Sequence, residues 1–285
     1  MKNKIESLGM STGKIIYSCD DCQDIHRLKV ATIMDLFKSS GVLLFRGFRI
    51  NHEQMKTFAE QFSSKFIQDY GRPQVDSDKF VHFVDPGMGD SSFHREHGYS
   101  PFCPDVIWFC CAVPAAQGGE TTFCDGVQVW EKLSEETRQL FISKKLKFRH
   151  EVHADIIRRF TGLDASITDI EGVLDSFEGV NYQFQENESI LLEYICSAVV
   201  KTKYSHDDAF ANSILALEHA TLEDDSILPD EIIGEIEEVT DKLTEKISWQ
   251  AGDLVMIDNS RFMHGRKEFN DNRRQIFSTL SNFHS

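Results

Sequence analysis

With 285 residues, 41% hydrophobic and 27% charged, the chain has an ordinary globular composition, long enough for one large domain or two small ones. A formal net charge of −16 disfavours nucleic acid and anionic membrane surfaces, both of which need a basic face. No apolar run reaches the roughly 20 residues that span a bilayer, and "MKNKIESLGM" at the N-terminus lacks the apolar core of a secretory signal, so a cytoplasmic location is expected.

Seven cysteines, an odd number in a chain of this size, do not form a disulfide framework. Cys19 and Cys22 in "CDDC" have no second pair to close a zinc site and no βαβ context for a redox dithiol. Cys103, Cys110, Cys111, Cys124 and Cys196 sit in apolar stretches and read as buried reduced thiols.

Along the chain, "GVLLFRGFRI" (41–50) is a strand, followed by a helix capped by Asn51 with Met55, Phe58 and Phe62 at helical spacing. "DVIWFCCAVPA" reads as a buried strand with Trp108 and Phe109 as core aromatics. "QGGE" turns into the short strand "TTFCDG". Residues 127–146 have one continuous helical periodicity that groups Trp130, Leu133, Leu140 and Phe141. "FRHEVHADIIRRF" (148–160) is either a substrate lid or a solvated basic edge. Further strands are expected in "GVNYQFQ", "ILLEYICSAVV", "DLVMIDN" and "RQIFSTLSNF", and an acidic, solvated helix within 222–243. "AFANSILA" is strand-like and carries Asn212 and Ser213, whose buried polar groups need backbone or substrate partners. Strands come in groups with helices inserted, without regular βαβ alternation. An α+β fold with a mainly antiparallel β core follows, and the absence of repeats or linkers favours a single domain over 1–285.

The chemistry concentrates in "FHREHGYSPF". Groups two apart on a strand share a face, so His94 and Glu96 can grip one cation while His97 points the other way, as a residue of the substrate pocket, a supporting partner of the site or a plain loop histidine. A third ligand must come from distant sequence. The candidate is His264, where the apolar strand of "GDLVMIDNSRFMHGRKEF" runs into a polar turn. Two histidines and a carboxylate on one face of an octahedral ion leave three positions open, the arrangement of non-haem Fe(II) oxygenases.

These blocks together resemble the TauD/TfdA-like family of Fe(II)- and 2-oxoglutarate-dependent dioxygenases. The resemblance runs from "GVLLFRGF" through "FHREHGYSPFCPDVIWFCCAVPAAQGGETTFCDG" to "WQAGDLVMIDNSRFMHGRKEFNDNRRQIFS". Its pattern is His-x-Asp/Glu, then Gly-Gly-Asp/Glu-Thr, then a distal histidine after a Gly-Asp-Leu…Asp-Asn strand; here Thr121 follows Glu96 by 25 positions. The resemblance implies a double-stranded β-helix (jelly roll) with flanking and inserted helices. It implies Fe(II) on His94, Glu96 and His264, with 2-oxoglutarate and O2 as cosubstrates. The fork of Arg274 would meet the distal carboxylate of 2-oxoglutarate, with a hydrogen bond from Thr121. Arg273, its neighbour, would face the other way. With Glu96 in place of the small residue of related halogenases, oxidation such as hydroxylation or desaturation is implied. The substrate would be a small molecule, free or carrier-bound, such as an amino acid or a specialised-metabolite intermediate.

Two other readings share the three ligands: a non-catalytic metal- or ligand-binding jelly-roll module, and zinc hydrolysis. Both leave Arg274 and Thr121 without a purpose.

Overall fold

The computed structural model describes residues 3–284 except Ser11, residues 20–22, Ser77, residues 85–86, residues 162–166 and Glu218; at 159–161 and 167 it describes the backbone only. Cys22, and with it the "CDDC" pair, lies outside the described residues.

Two sheets carry most of the structure. The larger has nine strands, in the order Ile5–Ser7, Lys14–Tyr17, Val42–Arg46, Leu254–Asp258, Val106–Val113, Gln275–Phe283, Asp78–Phe83, Gln74–Val75, with Ser63–Ile67 also paired to Gln275–Phe283. The smaller runs Glu245–Ile247, Thr121–Asp125, Phe262–Arg266, Ser91–His94. Among the described strands, every pairing is antiparallel except Lys14–Tyr17 with Val42–Arg46.

Strand alternation explains why the central segments read as unbroken apolar runs. Val106, Trp108 and Cys110 point to one face of the large sheet, where helices Val30–Ser40 and His52–Glu60 supply Phe37, Phe58 and Met55. Ile107, Phe109 and Cys111 point to the other, where Phe123, Ile247 and Phe262 of the small sheet meet them. A sheet covered on both faces has no polar side to alternate with. Helix His52–Glu60 starts as expected: the Asn51 side chain accepts from Gln54 N and Gln54 returns a bond to Asn51 N.

Several expected elements divide differently. The single helix expected over 127–146 is two, Gly126–Lys132 and Glu135–Ser143. The break has a local cause: Leu133 is extended, and Ser134 caps the second helix by accepting from Thr137 N. Glu235 of helix Asp230–Lys242 accepts from Ser134 and Thr137 and fixes the corner. That helix occupies only the later part of the acidic segment. "ILLEYICSAVV" likewise splits into Ser189–Cys196 and Val199–Lys201.

Residues 146–222 form a third sheet, Val180–Phe184, Ser189–Cys196, Leu146–His153 and Thr221–Leu222, backed by helices Ala154–Thr161 and Ile167–Asp175. Asn212 and Ser213 find backbone partners: the Asn212 amide donates to Ala198 O at 2.9 Å, and the Ser213 hydroxyl to Arg95 O at 2.8 Å. Cys103, Cys110, Cys111, Cys124 and Cys196 are free thiols, and burial pushes Cys110 and Cys111 up to about 12. No helix among the described residues is long and apolar enough to cross a membrane.

Trp108 locks the large sheet to its helices. Its indole is fully buried against Phe58 and Phe62 and donates to Ser281 Oγ at 3.0 Å. Trp108→Ala is expected to lower unfolding free energy by about 3–5 kcal/mol, read as a shifted urea midpoint at unchanged slope.

Candidate metal and cosubstrate site

Two adjacent strands of the small sheet bring the distant histidines together. In the antiparallel pairing of Phe262–Arg266 with Ser91–His94, His264 stands directly opposite His94, and their rings lie 4.3 Å apart. Glu96 arrives by another route. The strand ends at His94, and Glu96 sits in the turn that follows. Period-two alternation is therefore not what aims it.

The turn is held by Asn259, the last residue of "MIDN". Its carboxamide oxygen accepts Glu96 N at 2.9 Å, and its amide donates to Glu96 O at 3.0 Å and Pro104 O at 2.9 Å. Arg95 adds two bonds, from its backbone N to Asn212 O at 2.8 Å and from Nε to Asn259 O at 3.0 Å. His97 has φ 55°, in the left-handed region, so the chain reverses here. The expected outward orientation of His97 fails for that reason: its Nε2 lies 3.9 Å from Glu96 and 4.0 Å from Asp69.

The donor atoms of His94, Glu96 and His264 all lie within 4.8 Å of one another, with His264 Nε2 3.4 Å from Glu96 Oε2. His94 Nδ1 donates to Ser92 O at 2.9 Å, which leaves Nε2 unprotonated and free to bind a cation. Burial, helped by the charge of His264, pushes His94 down to about 4, so it stays neutral near pH 7. Burial alone would raise Glu96, but Arg72 and then His264 outweigh it and hold the carboxylate well below its usual range. Two neutral-capable imidazoles and an ionised carboxylate, nearly buried, fit divalent iron.

Arg72 and Asp69 were not legible in the sequence as site residues. Arg72 Nη2 contacts Glu96 Oε2 at 3.0 Å and Nη1 contacts Asp69 Oδ2 at 3.1 Å, forming a chain of charges that fixes the carboxylate plane. A lone arginine before proline carries no signal of this. Arg266 is the other omission: it lies beside Arg274 around the same cavity, facing Thr121 across the strand pair.

That cavity, about 270 Å³, is lined by the three candidate ligands together with Thr121, Arg266 and Arg274. Arg274 lies just before the last strand, and its guanidinium donates to Gly119 O at 3.1–3.2 Å. Among the described residues no carboxylate pairs with it; burial and the neighbouring charge of Arg266 bring it down to about 10, still cationic. Arg273 turns outward and pairs with Asp271. "QGGE" is what allows the approach. Gly118 and Gly119 both have positive φ; a Cβ on Gly118 would strike Glu268 O at 2.1 Å, and one on Gly119 would press on Arg274 Nε at 3.0 Å. Thr121 Oγ1 accepts from Trp249 Nε1 at 3.1 Å, leaving its own proton to donate.

Comparison with known proteins gives the family and the fold. The model of the taurine catabolism dioxygenase TauD, TfdA family matches residues 6–280. The 3-((Z)-2-isocyanoethenyl)-1H-indole synthase of Fischerella ambigua is 20% identical, covering 92% of this chain and 89% of that protein. The structure of AAD-2 in complex with Mn(II) and N-oxalylglycine superposes with TM-score 0.64 at 17% identity, over 100% of this chain and 99% of the other. A taurine dioxygenase from Burkholderia xenovorans gives 0.62 at 17%, over 99% and 91%. The mixed, mainly β architecture is thus the fold of these dioxygenases. The chain belongs to the TauD/TfdA family, and is an Fe(II)- and 2-oxoglutarate-dependent dioxygenase that uses O2.

Proposed function

We propose that His94, Glu96 and His264 hold the iron, that Arg274 and Thr121 hold 2-oxoglutarate, and that the protein oxidises a C–H bond of a small molecule by hydroxylation or desaturation. The observation that carries this reading is Arg274. A half-buried cation with no carboxylate partner among the described residues, in the same cavity as a His/Glu/His cluster, calls for an anionic ligand next to a metal. Neither a zinc hydrolase nor a non-catalytic module needs that cation. The two facing sheets are read as the halves of a double-stranded β-helix, carried by one domain over 1–285.

Each residue then has a task. Iron held by His94, Glu96 and His264 would supply the site at which the keto acid and O2 react. Arg274 receives the distal carboxylate through its planar fork, and Thr121 donates its hydroxyl proton to the same group. Arg72 orients Glu96, and Asp69 orients Arg72. Phe109, whose ring lies 5.5 Å from His264, and the buried walls exclude water from the reacting centre. Glu96 retains the carboxylate that a chloride-binding site would lack. The substrate is proposed to be an amino acid or specialised-metabolite intermediate, free or carrier-bound. The Fischerella ambigua relative, whose name describes formation of an indole product, belongs to that range.

Anaerobic addition of Fe(II) and 2-oxoglutarate is expected to give a weak visible charge-transfer band from the chelated keto acid. His264→Ala should remove the band and succinate release, and Arg274→Ala should raise the 2-oxoglutarate requirement roughly 10- to 100-fold. Turnover by both variants at the parent rate would contradict the assignment. Asn259→Ala, which orphans two carbonyls and an amide, should cost about 2–4 kcal/mol of stability and weaken Fe(II) binding, measured by denaturation and metal titration.

A further inference from the structure

Beside the metal cavity lies a larger one of about 490 Å³, and the two share Asp69, Gly71, His97 and Tyr99 in their walls. Such a volume suits a ring system with substituents better than a two-carbon amine. Its outer wall is the inserted sheet of residues 146–222. Strand Leu146–His153 alternates there: Phe148, His150 and Val152 are the less exposed set, while Arg149 and Glu151 are exposed. Leu192 from the neighbouring strand, directly opposite His150, and Ile157 from the helix that follows extend the apolar surface.

The charge of the wall is more informative than its size. Among the described residues, Arg149 is the one lysine or arginine that borders the chamber, and its guanidinium is paired outward with Glu193 at 2.8 Å and Asp225 at 2.7 Å. Asp69 is occupied by Arg72 and by Gly71 N. The rest of the described lining adds no lysine or arginine: it holds the exposed carboxylate of Glu151, the imidazoles of His97 and His219, and uncharged polar and apolar groups. The Tyr99 hydroxyl makes no hydrogen bond within the described protein, nor does the His150 imidazole, and the two rings meet edge to face at 5.3 Å. Burial lowers the basicity of His150, which keeps it uncharged at neutral pH.

We infer that this chamber takes a neutral, largely apolar substrate body of about the size of a substituted bicyclic ring, with one polar group met by Tyr99 and His150, and that it rejects anions. The inference rests on the oxygenase reading of the adjoining cavity and narrows the class of molecule it acts on, away from a free amino acid with its carboxylate and toward a carrier-bound amino acid or a neutral specialised-metabolite intermediate. An anionic head of the sulfonate or carboxylate kind would enter a wall whose described residues offer no free lysine or arginine, and would lose its hydration without recompense.

Two probes of one shape test it: 2-(indol-3-yl)ethanol, neutral, and indole-3-acetate, anionic. Isothermal titration of the anaerobic protein loaded with Mn(II) and 2-oxoglutarate should show the alcohol binding about tenfold or more tightly than the carboxylate, and no heat from taurine. Tyr99→Phe and His150→Leu should each weaken the alcohol roughly 3- to 10-fold. Leu192→Trp should block it while leaving the charge-transfer band with Fe(II) and 2-oxoglutarate in place, which shows the variant folded. Carboxylate binding equal to or tighter than the alcohol, or no binding of the alcohol, overturns the inference. Because the band needs no probe, its presence with a reversed preference sinks the chamber assignment alone, and its absence sinks the oxygenase site.

Discussion

The carboxamide of Asn259 is the constraint on which the site depends. Strand pairing can bring His264 next to His94, but it cannot deliver Glu96, which lies beyond the end of its strand. Three hydrogen bonds from one buried side chain tie the Glu96 backbone and Pro104 to the end of the strand that precedes His264. The metal-facing turn and the distal histidine thereby become one rigid unit. A site that must hold its ligands to within a fraction of an ångström needs such support, because a turn left to itself samples many conformations.

Charge is arranged in the same economical way. Arg72 lies between Asp69 and Glu96, so the buried carboxylate is ionised and oriented before a metal arrives. Arg274 is the reverse case, a cation with no anion beside it among the described residues. The contrast separates structural from functional charge: Arg46 with Asp253 and Arg261 with Asp125 are closed pairs at 2.6 Å, while Arg274 waits on a carbonyl. The proposed chamber beyond carries no free lysine or arginine among its described residues, so on the proposed reading the interior has an end suited to an anion and an end that is not.

How much of this was legible depends on what each residue signals locally. Spacing and motif survive in one dimension, and they singled out His94, Glu96, His264, Thr121 and Arg274 as a candidate set, which the fold brings around one cavity. The route by which Glu96 reaches the site was not legible, since alternation stops when a strand stops, and only the tertiary position of Asn259 shows what replaces it. Strand alternation alone turned His97 away for the same reason, its left-handed backbone being invisible to a period-two reading, whereas the alternative place for it in a pocket wall agrees with its position in the lining of both cavities. Arg72, Asp69 and Arg266 gave no signal, because an isolated charge reads as surface until the fold buries it. Apolar runs identified the large sheet correctly, as both its faces are covered. The expected helix over 127–146 was too long because hydrophobic period continues through the Ser134 corner, where a cap and Glu235 decide the break. "FRHEVHADIIRRF" offered lid and solvated basic edge as alternatives; its strand alternates, with Arg149 and Glu151 exposed at the border of the proposed chamber and His150 and Val152 less exposed in its wall.

X-ray absorption at the iron edge of the anaerobic Fe(II) protein tests the proposed ligand set most directly. The multiple-scattering pattern should require two imidazoles in the parent protein and one in His264→Ala. An unchanged pattern in the variant, or none attributable to imidazole in the parent, would contradict the three-residue site.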